Sequence, residues 1–212
     1  YAHTMITDQT PEAFRQDVRR AKALLEDLAG QPVVGYRAPT FSITERTRWA
    51  ADVLAEEGYR YDSSIFPVRH DRYGIPTAPR FLHTLAGRNG AALVEFPPTT
   101  LRVLGTNLPV AGGGYLRLLP VWLVGAALRR VNRAGHPAVI YFHPWELDPE
   151  QPRLPVRGLR RFRHYVGLAR TAAKLRRLLG ALAFTSAGAV VARWQAERAG
   201  SDAMSSPTAG GT

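Results

Sequence analysis

The sequence predicts an α/β fold with a largely parallel sheet or barrel. Helical and strand-like patterns alternate along the chain, and its 212 residues suit a single domain. A run of β-branched and aromatic residues over 139–143 is typical of a buried strand. Pro144 cannot donate a ladder hydrogen bond, so this strand is expected to end at His143.

The first half of the chain contains two well-marked helix starts. Thr10, Pro11 and Glu12 supply a capping hydroxyl, a proline at the first helical position and an acid in the first turn. Ser42 with Glu45 is typical of a capping box, which predicts a second helix that ends at Gly58. Short strands are expected over 33–36, 59–61 and 92–96, and a long surface loop over 66–80.

In the second half, helices and strands are expected to alternate again. Residues 99–114 are expected to form a loop that ends in three glycines. Helices are predicted over 115–133, 168–179 and 187–198, with a short strand over 182–185. One folded domain is assigned to residues 1–199, and the small, polar residues 200–212 are assigned to a disordered tail.

Composition narrows the classes of site that this sequence can hold. The sequence has no cysteine, which excludes disulfides, zinc–thiolate sites and cysteine nucleophiles within it. The net charge of +11 suits acidic partners such as nucleic acid, anionic lipid or anionic glycan, although scattered arginines also fit a solvated basic surface. No apolar run approaches the ~20 residues of a membrane span, and residues 1–10 lack a signal-peptide pattern.

Three strand ends carry polar side chains: Arg37, Asp62 and His143. In α/β folds, ligand sites gather at the carboxyl ends of the strands. His143 would act there as an acid or a base, Asp62 would orient it, and Arg37 would hold a carboxylate. The alternative is a partly buried histidine in an ordinary turn. The nearby Trp145 is either a platform that stacks on a sugar or a buried aromatic.

An ordered set of short motifs gives the chain a family resemblance from residue 1 to about residue 198. The motifs are Tyr1-Ala2-His3, Thr10-Pro11-Glu12-Ala13-Phe14, Gly35-Tyr36-Arg37-Ala38-Pro39-Thr40-Phe41, Tyr61-Asp62-Ser63-Ser64, Asp71-Arg72-Tyr73-Gly74-Ile75-Pro76, Gly112-Gly113-Gly114-Tyr115, Tyr141-Phe142-His143-Pro144-Trp145-Glu146, Arg161-Phe162-Arg163-His164-Tyr165 and Arg170-Thr171. With them the chain resembles the polysaccharide deacetylases of carbohydrate esterase family 4, in the branch associated with exosortase (PEP-CTERM) exopolysaccharide loci.

The resemblance implies a distorted (β/α) barrel and a divalent metal, usually zinc, held by one aspartate and an H-x-x-x-H pair. His3 resembles the second histidine of that pair. The first histidine, and the motif with the metal-binding and base aspartates, are then expected before Tyr1, so the barrel is N-terminally incomplete in this sequence.

The resemblance also implies roles for residues that are present. Arg37 matches the arginine that orients the base carboxylate, Asp62 the residue that tunes the catalytic histidine, and His143 the general acid. Substrate binding is assigned to Phe41, Tyr115 and Trp145. These three aromatic residues lie within the matched motifs, and Trp145 is two residues from His143.

The implied function is hydrolysis of N-acetyl groups on an exopolysaccharide. The enzyme would be a hydrolase of non-peptide C–N bonds, with a cytoplasmic location, and its activity is expected to be impaired in this sequence. Its partner is an acetylated polysaccharide, with no nucleic acid and no membrane-spanning segment expected. A glycan-binding remnant without turnover is the alternative. A basic protein that binds nucleic acid or a membrane surface ranks last, because it leaves the motifs unexplained.

Overall fold

The computed structural model describes residues 1–87, 92–110 and 112–205. Within these ranges the chain forms a mixed α/β arrangement. The helices are α1 (Pro11–Ala29), α2 (Trp49–Glu56), α3 (Gly113–Leu118), α4 (Val121–Arg133), α5 (Gly158–Tyr165), α6 (Leu168–Ala181) and α7 (Ala187–Ser205). The strands are β1 (Gly35–Tyr36), β2 (Tyr61–Asp62), β3 (His83–Ala86), β4 (Ala92–Glu95), β5 (Thr100–Val103) and β6 (Thr106–Pro109).

The main sheet has four strands in the order β1-β2-β4-β3. The first three are parallel, and β3 pairs with β4 antiparallel. Strands β5 and β6 form a separate antiparallel hairpin. The predicted α/β class is therefore confirmed. Among the described residues, however, the sheet is open at both ends, and a closed barrel is not formed.

The strand predicted over residues 139–143 is wrong. The chain there makes a single parallel β-bridge, between Gly112 and Tyr141. Other contacts replace a ladder, since the Val139 N–H donates to Thr99 Oγ1 at 2.6 Å and the Tyr141 ring lies directly on Gly112. A Cβ added to Gly112 would lie 1.8 Å from that ring, so glycine is required where the two segments meet.

Helix α1 begins and ends as predicted, but the second helix start differs. Thr10 Oγ1 accepts from the Ala13 N–H at 3.2 Å, and Gly30 closes α1 in the left-handed conformation. The Ser42 hydroxyl instead accepts from the Ile6 N–H at 3.0 Å. It is therefore Thr44, whose N–H donates to Thr47 Oγ1 at 2.8 Å, that forms the capping box before α2.

Several loops and helices also differ from the expectation. The predicted loop 99–114 contains the β5–β6 hairpin, and Pro120 divides the predicted helix 115–133 into α3 and α4. The loop 66–80 buries Phe66 and Ile75, so it belongs to the core rather than to the surface. Residues 182–185 form no strand. Helix α7 continues through residues 200–205 of the predicted tail, and residues 206–212 lie outside the described ranges.

Buried side chains form two main clusters. One lies between α1, α2 and the main sheet, where the Phe14 ring meets the Trp49 ring edge to face at 5.7 Å. The other lies between α3, α4 and α6 and contains Leu128 and Leu178. Helix α7 places Val191 against β4 and the residues after it. None of the described helices combines the length and the apolar composition needed to span a bilayer.

Candidate functional site

Three polar side chains converge at the carboxyl ends of the parallel strands. Asp62 ends β2 and Glu95 ends β4, and the two residues are direct register partners. Tyr36 pairs with Asp62 at the end of β1, so Arg37 follows at the same edge. The expected gathering of Arg37 and Asp62 at one edge of the sheet is therefore present.

Asp62 and Glu95 form a carboxyl pair that is completely buried, each with 0% of its surface exposed. Asp62 accepts from the Ser64 hydroxyl at 2.5 Å, and Glu95 Oε1 accepts from the Ile65 N–H at 3.0 Å. Burial and the nearby Asp62 carboxylate raise the pKa of Glu95 well above its ordinary range. Burial raises the pKa of Asp62 as well, and a smaller contribution from Glu95 opposes that change. The larger shift lies on Glu95, so Glu95 is the member assigned the proton, and its Oε2 has no other partner.

Arg37 is tied to the segment that follows Asp62. Its Nε donates to the Ser63 carbonyl at 3.0 Å and its Nη2 to the Ser63 hydroxyl at 2.6 Å. The Ser63 hydroxyl in turn donates to the Phe96 carbonyl at 2.6 Å. Burial lowers the pKa of Arg37, while the charge of Asp62 opposes that change. Arg37 therefore holds the ends of β2 and β4 together and lends positive charge to the carboxyl pair.

The backbone just after Arg37 is strained. Thr40 and Phe41 both have positive φ angles, of 55° and 53°, in a turn of 3-10 helix. Each such non-glycine residue costs of order 1–3 kcal/mol, and strain of this kind collects at functional sites. The Phe41 side chain is only 8% exposed and packs against the rings of Phe66 and Tyr141, with centroid distances of 5.2 and 5.0 Å.

His143 belongs to a second group, on a turn of 3-10 helix at residues 144–147. Its side chain is exposed, while its backbone N–H donates to Glu146 Oε2 at 2.8 Å. Glu146 is 1% exposed and forms an ion pair with Arg117 Nε at 2.7 Å. The Trp145 ring lies 6.1 Å from the His143 ring, between it and the His164 ring at 5.0 Å. The imidazole is thus accessible, but its backbone is fixed.

Tyr141 lies between the two groups. Its ring contacts Phe41 and lies 5.3 Å from the Arg37 guanidinium, and its backbone is two residues before His143. Burial raises the pKa of Tyr141, with smaller contributions from neighbours that include the partly buried Tyr115. No hydrogen bond or ion pair joins His143 to Arg37 or Asp62 in the part of the chain that the structure describes. Direct orientation of His143 by Asp62 therefore stays a prediction.

The residues around His3 do not fit a metal centre by themselves. His3 is exposed and has a positive φ angle of 55°. Asp17, which contacts the two residues before it, already accepts from the Tyr1 ammonium group at 2.9 Å and from the Ala2 N–H at 2.7 Å. Residues 1–87, 92–110 and 112–205 contain no group of three or more His, Asp or Glu placed to bind one ion. We therefore assign no chemical step to a metal.

Two buried residues of these groups were not predicted from the sequence. Glu95 had a visible signal, since it is an acid inside the apolar run Leu93-Val94-Glu95-Phe96. Arg117 had none, because its role depends on Glu146, which is 29 residues away in the sequence.

Three comparisons place the chain among known proteins. The family described as "Domain of unknown function (DUF3473)" matches residues 63–192, more than half of the chain. The comparison with curated proteins found no match. A solved structure, described as that of a "putative polysaccharide deacetylase from Mycobacterium smegmatis", matches with a TM-score of 0.47 and 21% identity over 85% of this chain. The chain spans 53% of that structure, about half of its length.

Proposed function

Because the chain belongs to the DUF3473 family, a domain found in polysaccharide deacetylase-like proteins, we propose that it acts in the N-deacetylation of a polysaccharide. The observation that carries the proposal is the accessible imidazole of His143, held on a fixed turn beside the indole of Trp145. An imidazole can transfer a proton near neutral pH, and an indole face can stack on a sugar ring.

The proposed reaction adds water to an acetamide group on the glycan. The water oxygen forms a bond to the carbonyl carbon, the C–N bond breaks, and the products are acetate and a free amine. The leaving nitrogen must gain a proton as this bond breaks, and His143 is the residue that donates it. The proton that the water loses balances the one that His143 donates, so the imidazole is reprotonated for the next turnover. Trp145 places the sugar so that its nitrogen lies near the imidazole.

In this proposal, Arg37, Asp62 and Glu95 position the other wall of the site. Asp62 and Glu95 are fully buried, so neither touches the substrate. They fix the ends of β2 and β4 and, through Arg37, the neighbouring ring of Tyr141. Phe41 and Tyr115 line this wall as packing groups that shape the substrate groove.

Glycan binding without turnover is the second candidate function. It is favoured by His3, which is exposed and belongs to no cluster of potential metal ligands within the described ranges. Such a protein would keep the Trp145 platform and lack the means to activate water.

Acetate release from N-acetylglucosamine oligomers, with and without added Zn²⁺, tests the proposal on the 212-residue chain. Loss of a general acid typically costs 10²–10⁴-fold in rate, so His143→Gln is expected to lower kcat by about that factor and to change KM little. His136→Gln is the matched control, because His136 stacks on Phe81 at 3.6 Å, outside both groups. Equal kcat in the His143 variant and the wild type would refute the proposal. Binding of the oligomer without acetate release would favour the second candidate.

A further inference from the structure

A basic cavity of about 670 Å³ has Arg117, the partner of Glu146 in the His143 turn, in its lining. It opens between the α3–α4 connection, the segment at Pro149 to Arg153, and the first turn of α6. Its volume lies within the 300–1,000 Å³ range of small-molecule sites. Four of its lining side chains are cationic, namely Arg117, Arg153, Arg170 and Lys174, and none is acidic.

Two of these cations, Arg117 and Lys174, are each held by three or more partners in the fold. Arg117 pairs with Glu146 and also donates to the carbonyls of His164 and Arg163 at 2.9 and 3.0 Å. Lys174 Nζ donates to three carbonyls in and after α3 at 2.7–3.0 Å. These two residues therefore build the wall of the cavity rather than supply free charge.

Arg153 and Arg170 differ, since neither forms an ion pair with a carboxylate among the described residues. Arg153 lies over the Tyr165 ring at 4.4 Å, and its Nη2 donates to the Pro149 carbonyl at 3.1 Å, so its charge is not neutralised. Arg170 is exposed at the mouth of the cavity. The surrounding sequence also has an excess of positive charge, because residues 151–181 contain nine Arg or Lys residues and no Asp or Glu. A concave surface lined by charges of one sign concentrates the field and attracts the opposite charge.

We propose that this cavity binds the carboxylate or phosphate group of an acidic glycan through Arg153 and Arg170. The choice of a glycan rests on the proposed function, whereas the choice of an anion rests on the cavity alone. Leu118, Pro120 and Tyr165 add apolar and aromatic lining, which suits the faces of sugar rings. A guanidinium group can bind a carboxylate or a phosphate through two parallel N–H···O bonds.

The cavity and the His143 turn are held in place by the same residue, Arg117. Arg117 and Pro149 line the cavity, and Arg117 also fixes Glu146, which anchors the His143 backbone. The backbone of Gly167 approaches α3 so closely that only glycine fits, since a Cβ there would lie 2.4 Å from the Arg117 carbonyl and the residue has a φ of 71°. One glycan chain could thus reach from the turn into the cavity, so that acidic sugars beside the acetylated sugar select the substrate.

The test is a binding titration on the full chain with four probes. These are a short oligouronate, a neutral N-acetylglucosamine oligomer, inorganic phosphate and a single-stranded oligonucleotide, each at low and at physiological ionic strength. Arg170→Glu is compared with Arg176→Glu, which makes the same charge change on the same helix, at an exposed residue outside the cavity. Circular dichroism checks that both variants keep the wild-type fold.

We expect the oligouronate to bind more tightly than the neutral oligomer, and Arg170→Glu to weaken it about tenfold, as for the loss of one charge-assisted contact. Arg176→Glu should change its Kd less than twofold. Equal weakening by both variants, or a preference for the oligonucleotide, would overturn the proposal. Tight binding of phosphate alone would reduce it to a small-anion site. If the wild type binds oligouronate through Arg170 but releases no acetate from any glycan, the proposed function fails and this inference stands.

Discussion

At the scale of single residues, the buried Asp62–Glu95 pair is the most unusual feature of the chain. Two carboxyl groups with no exposed surface cannot both be ionised at low cost, because burial and mutual repulsion act together. A proton on Glu95 resolves that conflict. The Ser64 hydroxyl and N–H donate to the two Asp62 oxygens, the Ile65 N–H donates to Glu95 Oε1, and Glu95 Oε2 is the oxygen left for the proton. As a result, the stability of the fold depends on pH.

Stability should fall as pH rises from the ordinary glutamate value of 4.5 toward the raised pKa of Glu95. The folded chain keeps this proton across that window, whereas the unfolded chain releases it. Glu95→Gln keeps the acceptor for Ile65 and supplies a permanent donor for Asp62, so its stability should depend less on pH. Urea unfolding across pH 4.5–8 measures both slopes, with the exposed Glu150→Gln as the control. A variant with the wild-type slope would contradict the assignment of the proton.

The sequence indicates Arg37, Asp62 and His143 because each lies at the end of a short predicted strand. It could place Arg37 and Asp62 at one edge, since the carboxyl ends of neighbouring parallel strands coincide. It could not place His143 relative to them. That relation depends on the Tyr141 ring and the Gly112 contact, which have no periodic signal in the sequence.

At the scale of elements, Arg117 on α3 joins three pieces of chain that lie far apart in the sequence. It is 6% exposed, and its guanidinium contacts Glu146 and the carbonyls at the end of α5. Breaking a buried ion pair by removing one partner leaves an uncompensated charge. The helix α3 is short, yet it sets the position of both the His143 turn and the cavity.

We expect Arg117→Met to destabilise the chain by about 3–5 kcal/mol, because Glu146 would stay buried without its partner. Amide hydrogen exchange should increase most at the end of α5 and in the His143 turn. The control is Arg133→Met on α4, which is exposed and should change stability by less than about 0.5 kcal/mol. A similar small loss in both variants would show that Arg117 has no anchoring role.

Helices were easier to predict than strands at this scale. The α1 boundaries follow from Thr10, Pro11 and Gly30, which act through local geometry. By contrast, β5 and β6 contain Arg102, Asn107 and Pro109 and pair only with each other. Their pairing depends on a partner strand more than on intrinsic propensity, so a single sequence gives it a weak signal.

At the scale of the whole molecule, the last described helix completes a core that begins near the middle of the chain. Val191 on α7 is 2% exposed and packs in one cluster with Val94 and Phe96 of the β4 region. This contact connects segments that are almost a hundred residues apart. Folding of the sheet and docking of α7 should therefore be one cooperative event.

Val191→Ala should lower the free energy of unfolding by roughly 1.5–3 kcal/mol, from the two methylene-sized groups removed and the cavity left. Circular dichroism and tryptophan fluorescence should shift to the same lower urea midpoint. The corresponding control, Val103→Ala, removes the same atoms from a side chain that is 41% exposed. Separate midpoints for the two probes would show that α7 unfolds independently of the sheet.

The alternation of helical and strand-like patterns correctly predicted the α/β class. The closed barrel that the family resemblance implied is not formed among the described residues. The run 139–143 has the composition of a sheet strand, yet it forms one bridge, because its neighbours are Gly112 and Thr99 rather than a partner strand. Composition records that a segment is buried, and it does not record what buries it.

The contact of Gly112 with Tyr141 also bears on how the length of this chain can vary. The Gly113 N–H donates to the Tyr141 carbonyl at 3.0 Å, so the segment that contains α3 and α4 starts and ends at one point and forms a closed excursion of the chain. The turn at Gly135 has open space around it, far along that closed excursion. Loop-closure entropy grows slowly with length, so residues inserted there cost little. The excursion can therefore be lengthened, by evolution or by design, while His143 keeps its place.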